Sequence, residues 1–400
     1  QQEPIAIDFS SYEVGKIILR NRNQFKDLLD MKCCFEIKRD QEVLVRKIVT
    51  VHLPHEKDVE VILPSELLHS KKANLLKVQI FDEQKTLRGK LARIVASMPI
   101  EGDSLPGQEP DLLLFNEIQD DAKMLLLRNG KNYLRVDKTT GKWQFMNEHQ
   151  DIYLASPESI FWRPTTNNDF ISSEIWREYG VDRMMTNLMS CSIVANDSDK
   201  LKLSLKEAIG PAGKFWHIEQ TTNITFFKDG RVTYEISGEP KNHYPLTVPR
   251  IGLVWQLHKR FTKTCWSGKG PKETYADTEN GSYFDVFSQA TDELSFQYLY
   301  PQESGNHCQT KWAIFKSDDQ LVLKFQGNHS FNFSVHSYSA AAIDSAQHIH
   351  ELKKADRYYL YIDYQQHGIG SRSCGPDVLD KYQLHLQDYH YQFEIRIKGV

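Results

Sequence analysis

The chain has 400 residues, of which 40% are hydrophobic and 26% are charged, and its formal net charge is −4. This composition is typical of a globular protein with room for two or three cores. A charge so near neutral supplies no basic field for nucleic acid or an anionic membrane, and no apolar run reaches the roughly 18 residues of a membrane span.

Residues 1–98 are predicted to form short strands separated by turn residues. Examples are 32–37 and 43–51, joined by a polar link, and the alternating stretch 75–81. Six or seven such strands favour an immunoglobulin-like or fibronectin-like sandwich. No cluster of titratable groups occurs there, so we expect a packing domain. Residues 99–120 begin with three prolines and two glycines within twelve positions, which predicts a linker and a domain boundary.

Residues 121–400 are predicted to form a second, larger β domain. Asn129-Gly130 suits the tight turn of a hairpin, and further strands are expected as far as 382–397, including one at 294–300. Two segments, 174–185 and 343–353, have helical patterns. So many strands with so little helix predict an all-β fold: a sandwich followed by a large antiparallel sheet structure.

The stretch 361–382, YIDYQQHGIGSRSCGPDVLDKY, holds more chemically useful side chains than any other of its length. It is predicted to be a strand that runs into a long loop, and loops on rigid strands often carry binding groups. Cys374 with His367 is a candidate nucleophile and base only if the two side chains meet in space. The alternative is that Cys374 forms part of a loop wall.

Other candidate sites are weaker. A hydrolytic pair needs two carboxylates across a cleft, and the acids to inspect are in Asn167-Asn168-Asp169 and at Asp277, although turns also favour these residue types. Gly268-Lys269-Gly270 lacks the spacing of a phosphate-binding loop. His348 and His350 are two residues apart on a predicted helix and cannot chelate one metal ion together. We therefore predict neither catalytic nor metal-ligating residues in this chain.

The six cysteines are scattered without a C-x-x-C pair, which predicts neither a zinc site nor a disulfide framework. The first sixteen residues lack the basic head and apolar core of a signal peptide. Five Asn-x-Ser/Thr triplets favour secretion, but such triplets also arise by chance. We expect a cytoplasmic protein whose cysteines are mostly buried thiols.

Several segments resemble the carboxy-terminal half of family 2 glycoside hydrolases of the β-galactosidase type. The matching stretches are FWRPTTNND (161–169), PRIGL (249–253), WSGKGPKETYAD (266–277), YPQESGNH (300–307), FNFSVHSYS (331–339) and IDYQQHGIGSRSCGP (362–376). Their order and spacing agree with the small-chain domain of that family over residues 121–400, and residues 1–98 resemble the immunoglobulin-like domain that precedes it.

The resemblance implies an accessory part of a retaining β-galactosidase that hydrolyses terminal β-D-galactosides such as lactose. In that family a (β/α)8 barrel carries both catalytic glutamates and the main Mg and Na sites, and no such barrel pattern occurs here. The implied partner is that barrel, in the same enzyme or in a large subunit, within an oligomer. The extra amino-terminal sandwich favours a fragment of a longer enzyme over a separate small subunit.

In such enzymes one loop of the large sandwich crosses the barrel mouth and helps to form the sugar pocket. The matching residues here are Arg372, Ser373, Cys374 and Gly375, which the resemblance marks as substrate-binding. Some members carry a stacking tryptophan on this loop, and Cys374 stands at or beside that position. We expect the loop to project from the domain with few contacts inside the chain.

Two alternatives belong to other classes. One is a stand-alone carbohydrate-binding or scaffold protein, which a closed polar groove with outward-facing Trp and Tyr would favour. The other is a mutarotase or lyase, which needs His and acidic side chains converging on a concave face. For that activity the residues to check are His307, His336, Glu303 and Asp363.

Overall fold

The computed structural model describes residues 5–68, 75–81, 92–99, 115 and 117–398. This part of the chain is all-β with large antiparallel sheets, which confirms the predicted fold class. It divides into two units, the first containing residues 1–109, 269–271 and 280–286 and the second 110–268, 272–279 and 287–400. No described helix is long and apolar enough to cross a membrane.

The first unit contains two antiparallel sheets around one core. Its strands are β1 (Ile5–Asp8), β2 (Lys16–Asn21), β3 (Leu28–Arg39), β4 (Glu42–Leu53), β5 (Asp58–Ile62), β6 (Leu75–Phe81) and β7 (Ala92–Pro99). The sheet orders are β1-β2-β5 and β4-β3-β6-β7. Alternate side chains such as Ile17 and Leu19 on β2 and Phe35 and Ile37 on β3 are 0% exposed and join one apolar cluster. The period-two pattern therefore places one face of each sheet in the core.

A later segment of the chain also belongs to the first unit. Asp285, in the segment 280–286, is 4% exposed and accepts hydrogen bonds from Lys38 Nζ at 2.5 Å and Lys77 Nζ at 2.7 Å. A buried carboxylate needs such partners because burial removes its hydration. No local sequence pattern predicts that residues 280–286 belong to the amino-terminal unit.

The second unit contains the remaining helices and strands of the described residues. Two of these strands, at 263–270 and 283–290, have residues in both units. Its strands begin with β8 (Glu117–Asp120), β9 (Met124–Asn129), β10 (Asn132–Asp137), β11 (Trp143–Asn147), β12 (Ile152–Ala155), β13 (Glu158–Ile160), β14 (Met184–Asn196), β15 (Lys200–Pro211), β16 (His217–Phe227) and β17 (Arg231–Lys241). They continue with β18 (Arg250–His258), β19 (Lys263–Gly270), β20 (Tyr283–Ala290), β21 (His307–Lys316), β22 (Val322–His336), β23 (Arg357–Gln366) and β24 (Tyr389–Lys398). The helices are α1 (Phe170–Tyr179) and α2 (Ala340–Ser345).

Pairing in the second unit is antiparallel, and several strands have more than two neighbours. β18 pairs with β12, β13 and β23, and β22 pairs with β21, β23 and β24. Trp143 and Trp255 lie in the core with ring centroids 5.9 Å apart. Because β18 and β23 are neighbours, the distant motifs that they carry meet in space.

Several predicted elements differ from those observed. The helix expected at 174–185 is α1, which ends at Gly180 with φ 80°, and β14 follows it. The expected helix at 343–353 is reduced to α2 and a later 3₁₀ turn, and no strand forms at 294–300. Most of the predicted linker lies outside the described residues, but its last four residues form β8. Local pattern did not determine these ends, because tertiary pairing decides where such elements stop.

Candidate functional site

The loop that follows β23 covers residues 367–378 and is called the glycine loop below. Its first residue, His367, is 3% exposed. The His367 N–H donates to the Pro249 carbonyl, and its Nδ1 accepts from the Leu384 N–H, each at 3.0 Å. Burial, with the nearby Arg163 charge, lowers the pKa of His367 from 6.5 to about 3. His367 therefore anchors the loop as a neutral side chain.

Arg163 lies between β13 and α1 and fastens the start of the glycine loop. Its side chain is 0% exposed. Nη1 donates to the His367 carbonyl at 2.7 Å, and Nη2 donates to the Gly368 carbonyl at 3.1 Å and to Asp169 Oδ1 at 3.0 Å. Asp169 also accepts from the Thr166 N–H at 2.8 Å. One buried ion pair thus orients a guanidinium toward two backbone carbonyls.

Two further side chains hold the middle of the glycine loop. Asp277 accepts from the Ile369 N–H at 3.1 Å and the Gly370 N–H at 2.7 Å. Asn168 donates through Nδ2 to the Gly370 carbonyl at 2.9 Å, and its Oδ1 accepts from the Ser373 N–H at 3.0 Å. Backbone groups that would otherwise need water therefore have fixed partners within the chain.

These contacts explain the acids that were candidates for a hydrolytic pair. Asp169 binds Arg163 and a helix-starting backbone N–H, and Asp277 binds two loop N–H groups. Each carboxylate serves to hold the glycine loop, and the geometry gives neither a role as acid or nucleophile.

The tip of the glycine loop carries the four residues predicted to bind substrate. Arg372 is half-buried, forms an ion pair with Asp377, and has its guanidinium carbon 5.7 Å from the centroid of the Phe170 ring. Ser373 Oγ donates to Asn168 Oδ1 at 2.7 Å. These contacts leave the tip accessible but define its backbone path.

Cys374 and Gly375 complete the tip, and both are exposed. The Cys374 N–H donates to the Ser371 carbonyl at 3.0 Å. A Cβ on Gly375 would lie 2.7 Å from Ser371 Oγ and 3.2 Å from the Ser371 carbonyl oxygen, so a side chain here would require the Ser371 hydroxyl to move. No hydrogen bond joins the Cys374 thiol to buried His367 in the described part of the chain, and the nucleophile–base hypothesis has no geometric support.

The expectation that the glycine loop has few contacts inside the chain is wrong. Its base is held by Arg163, Asn168 and Asp277, and only its tip is exposed. These three anchors come from segments up to about 200 residues earlier, with an observed separation of 205 for Arg163 and Gly368. Loop composition alone gave no sign of them.

A second buried charge cluster lies where β18 pairs with β23, and these strands supply Arg250 and Asp363. Arg250 Nη2 is 3.4 Å from Glu303 Oε1, and Arg250 Nε is 3.0 Å from Asp363 Oδ2. Gln366 Nε2 donates to Asp363 Oδ2 at 2.8 Å, and the guanidinium lies 4.4 Å from the Tyr361 ring centroid. Two carboxylates share one cation, and burial raises the pKa of Asp363 to about 6.

The same cluster bears on the mutarotase or lyase hypothesis. Glu303, His307, His336 and Asp363 are all 4% exposed or less. Burial lowers the pKa of His336 to about 3, and the charge on Arg250 adds to this effect. These side chains lie in the interior and not on an open concave face, so a sugar cannot reach them. Among the described residues no group of three His, Cys, Asp or Glu side chains is placed to hold a metal ion.

Residues 128–395 match the protein family described as Beta galactosidase small chain. The chain belongs to this family. The matched range contains Arg163, Arg250, Asp277 and the glycine loop. The family resemblance drawn from the sequence is therefore confirmed.

Full-length relatives of the family are also similar to this chain. A β-galactosidase from Kluyveromyces lactis is 29% identical over 309 residues, which cover 73% of this chain and 29% of the relative. One from Staphylococcus xylosus is 27% identical and covers 74% and 30%, respectively. The chain therefore spans less than a third of these relatives. An α-mannosidase structure from Enterococcus faecalis aligns over 99% of this chain and 43% of its own, with 10% identity and a TM-score of 0.39.

The structural roles of Arg163 and Arg250 were not predicted from the sequence. Both stand in apolar surroundings: Arg163 follows Phe161 and Trp162, and Arg250 precedes Ile251. A cation inside such a run must find a buried acidic or carbonyl partner. That signal predicts that a partner exists, but only the fold identifies it.

Proposed function

We propose that this chain is the non-catalytic carboxy-terminal part of a β-galactosidase and supplies one wall of its sugar pocket. The observation that carries the proposal is the glycine loop, whose base is fastened by buried Arg163 while Ser371 and residues 373–376 at its tip are exposed. A binding loop has to be held in this way, because a loose loop loses affinity through the entropy of ordering it.

The reaction would be retaining hydrolysis of terminal β-D-galactosides such as lactose. Two carboxylates on a (β/α)8 barrel outside these 400 residues would perform it, with Mg and Na bound in that barrel. Arg372, Ser373, Cys374 and Gly375 would border the pocket. A thiol offers a smaller apolar contact than a flat aromatic ring, so we expect weak contact with the sugar at this point.

Two large apolar side chains beside the glycine loop are exposed, which supports a neighbouring protein segment at this surface. Phe170, which lies near Arg372, is 50% exposed, and Leu379 just beyond the loop is 56% exposed. Large apolar side chains flanking a polar tip are typical of a surface that another protein segment covers. The proposed neighbour is the barrel, in the same chain or in a large subunit of an oligomer.

We also propose that the protein is cytoplasmic, because its six cysteines are unpaired and the cytoplasm is reducing.

The test uses residues 1–400 alone and the enzyme that contains this chain together with its barrel. We expect no hydrolysis of nitrophenyl β-galactoside by the isolated chain. In the whole enzyme, Cys374→Trp should lower KM about threefold or more by adding a stacking face. Ser198→Trp, at an exposed turn, is the matched control. Turnover by the isolated chain would refute the non-catalytic role, and equal KM values for both variants would refute the pocket wall.

A further inference from the structure

The second unit contains a cleft of about 620 Å³ that shares no residue with the glycine loop. Its volume lies within the range of small-molecule sites, about 300–1,000 Å³. Its lining comes from β10 to β13, β18, β23 and the start of α2. The proposed pocket wall does not use this cleft.

The register between neighbouring strands determines which side chains form the floor of the cleft. Arg135 on β10 pairs with Gln144 on β11, which pairs with Ala155 on β12. The pairing of β12 with β18 puts Ala155 beside Gln256, and Gln256 pairs with Tyr359 on β23. Side chains in one cross-strand row point to the same face. With strands about 4.8 Å apart, Gln144 and Gln256 stand about 10 Å apart across the small Ala155, which leaves a trough between them.

The polar groups along this trough have few partners of their own. Within the described residues, the side chains of Gln144, Glu158, Gln256 and Tyr359 make no hydrogen bond or ion pair. In the same part of the chain, the Arg135 side chain has only a contact from Nε to the Met124 sulfur at 3.2 Å. These groups are thus free to bind a ligand that offers both donors and acceptors, because an amide supplies both and a carboxylate accepts.

The charged side chains that line the cleft limit the kinds of ligand that it can bind. The charged residues that line the cleft are Arg135, Asp137, Lys142 and Glu158, two cations and two anions. Their formal charges cancel, so the cleft has no net attraction for an anion or a cation. A neutral ligand with many hydroxyl groups fits this balance.

Aromatic and aliphatic surfaces lie among the polar groups. Tyr359 is half-buried and presents part of its ring, and half-buried Val254 pairs with Tyr361 in the neighbouring row. Apolar surface beside planar amides matches a sugar ring, which has apolar C–H groups and a rim of hydroxyls.

We propose that this cleft is a second carbohydrate site, which binds a neutral mono- or disaccharide separately from the glycine loop. Gln144 and Gln256 would bind hydroxyls from opposite sides of the trough, and Tyr359 would contact the ring. Arg135 and Glu158 would close its outer edge. The proposal does not depend on a role in galactoside hydrolysis.

Saturation-transfer NMR on residues 1–400 tests the site with lactose, methyl β-galactoside and glucose as probes. We expect saturation transfer to at least one sugar, and a loss of affinity of fivefold or more in Gln256→Ala and Tyr359→Ala. The matched control, exposed Gln387→Ala, should bind as the parent chain does.

Two results would overturn the proposal. One is no transfer to any of the three sugars. The other is affinity that is unchanged in both cleft variants, which would put the sugar at another part of the chain. A second variant, Gln256→Glu, separates lost binding from misfolding. Because Gln256 is exposed and Glu has nearly the same size, this variant should fold as the parent chain does. It lacks the amide donor, so we expect it to bind the sugar more weakly as well.

Discussion

Gly252 on β18 pairs with Asp363 on β23, and the absence of a side chain at Gly252 makes room for the buried carboxylate. A Cβ at Gly252 would overlap Asp363 Oδ1 and lie 2.8 Å from the Asp363 Cα. The same carboxylate has its Oδ2 3.0 Å from Arg250 Nε. The motif P-R-I-G-L therefore contributes both the cation of the buried cluster and the space for its acid.

Gly252→Ala should destabilise the second unit by about 1–3 kcal/mol or more, because the extra methyl group meets backbone and a buried charged group. Urea unfolding would measure the change. The control is Gly281→Ala, since nothing lies within 4 Å of a Cβ at Gly281. Equal unfolding midpoints for the two variants would contradict the close approach of the two strands.

Arg163→Met should lower the free energy of unfolding by about 3–5 kcal/mol, because it leaves the Asp169 carboxylate buried without its cation. It also removes the donors to the His367 and Gly368 carbonyls. Chemical unfolding measures the loss, and hydrogen exchange should become faster in the glycine loop. Arg183→Met, in which a 53% exposed side chain is replaced, serves as the control. Unchanged exchange at Ile369 and Gly370 would argue against Arg163 as an anchor.

The glycine loop should loosen in acid because His367 must stay neutral to accept the Leu384 N–H. Its pKa is lowered from 6.5 to about 3, chiefly by burial. Between these values the unfolded chain binds a proton that the folded chain does not, so this stability is complete above pH 6.5 and declines as the pH falls toward 3. NMR of the His367 ring should show no titration between pH 8 and 5. A midpoint near the ordinary value would disprove the neutral anchor.

Asp285→Ala should destabilise the first unit by about 3–5 kcal/mol, since Lys38 and Lys77 would both lose their shared carboxylate. Thermal or urea unfolding followed by a probe in the first unit would measure this effect. Asp319→Ala, which removes an acid whose side chain is 58% exposed, is the control. A loss no larger than that of the control would indicate that residues 280–286 add little to the stability of that unit.

The sequence by itself determined the all-β class, the hairpin of β9 and β10, whose turn lies one residue later at Gly130-Lys131, and the membership of the family. These follow from signals that neighbouring residues carry: side chains alternate with a period of two, Asn-Gly favours one kind of turn, and motifs stand in a set order. It also directed attention to residues 361–382.

Only the tertiary structure decided how that stretch is held and what its side chains do. The partners of the glycine loop, Arg163 and Asp277, are remote in sequence, and pairwise contacts between remote segments leave no local pattern. The same holds for the cleft, whose row from Arg135 to Tyr359 crosses strands separated by more than 200 positions, as 359 is 224 beyond 135. Strand register created that surface, and register is a property of the assembled sheet.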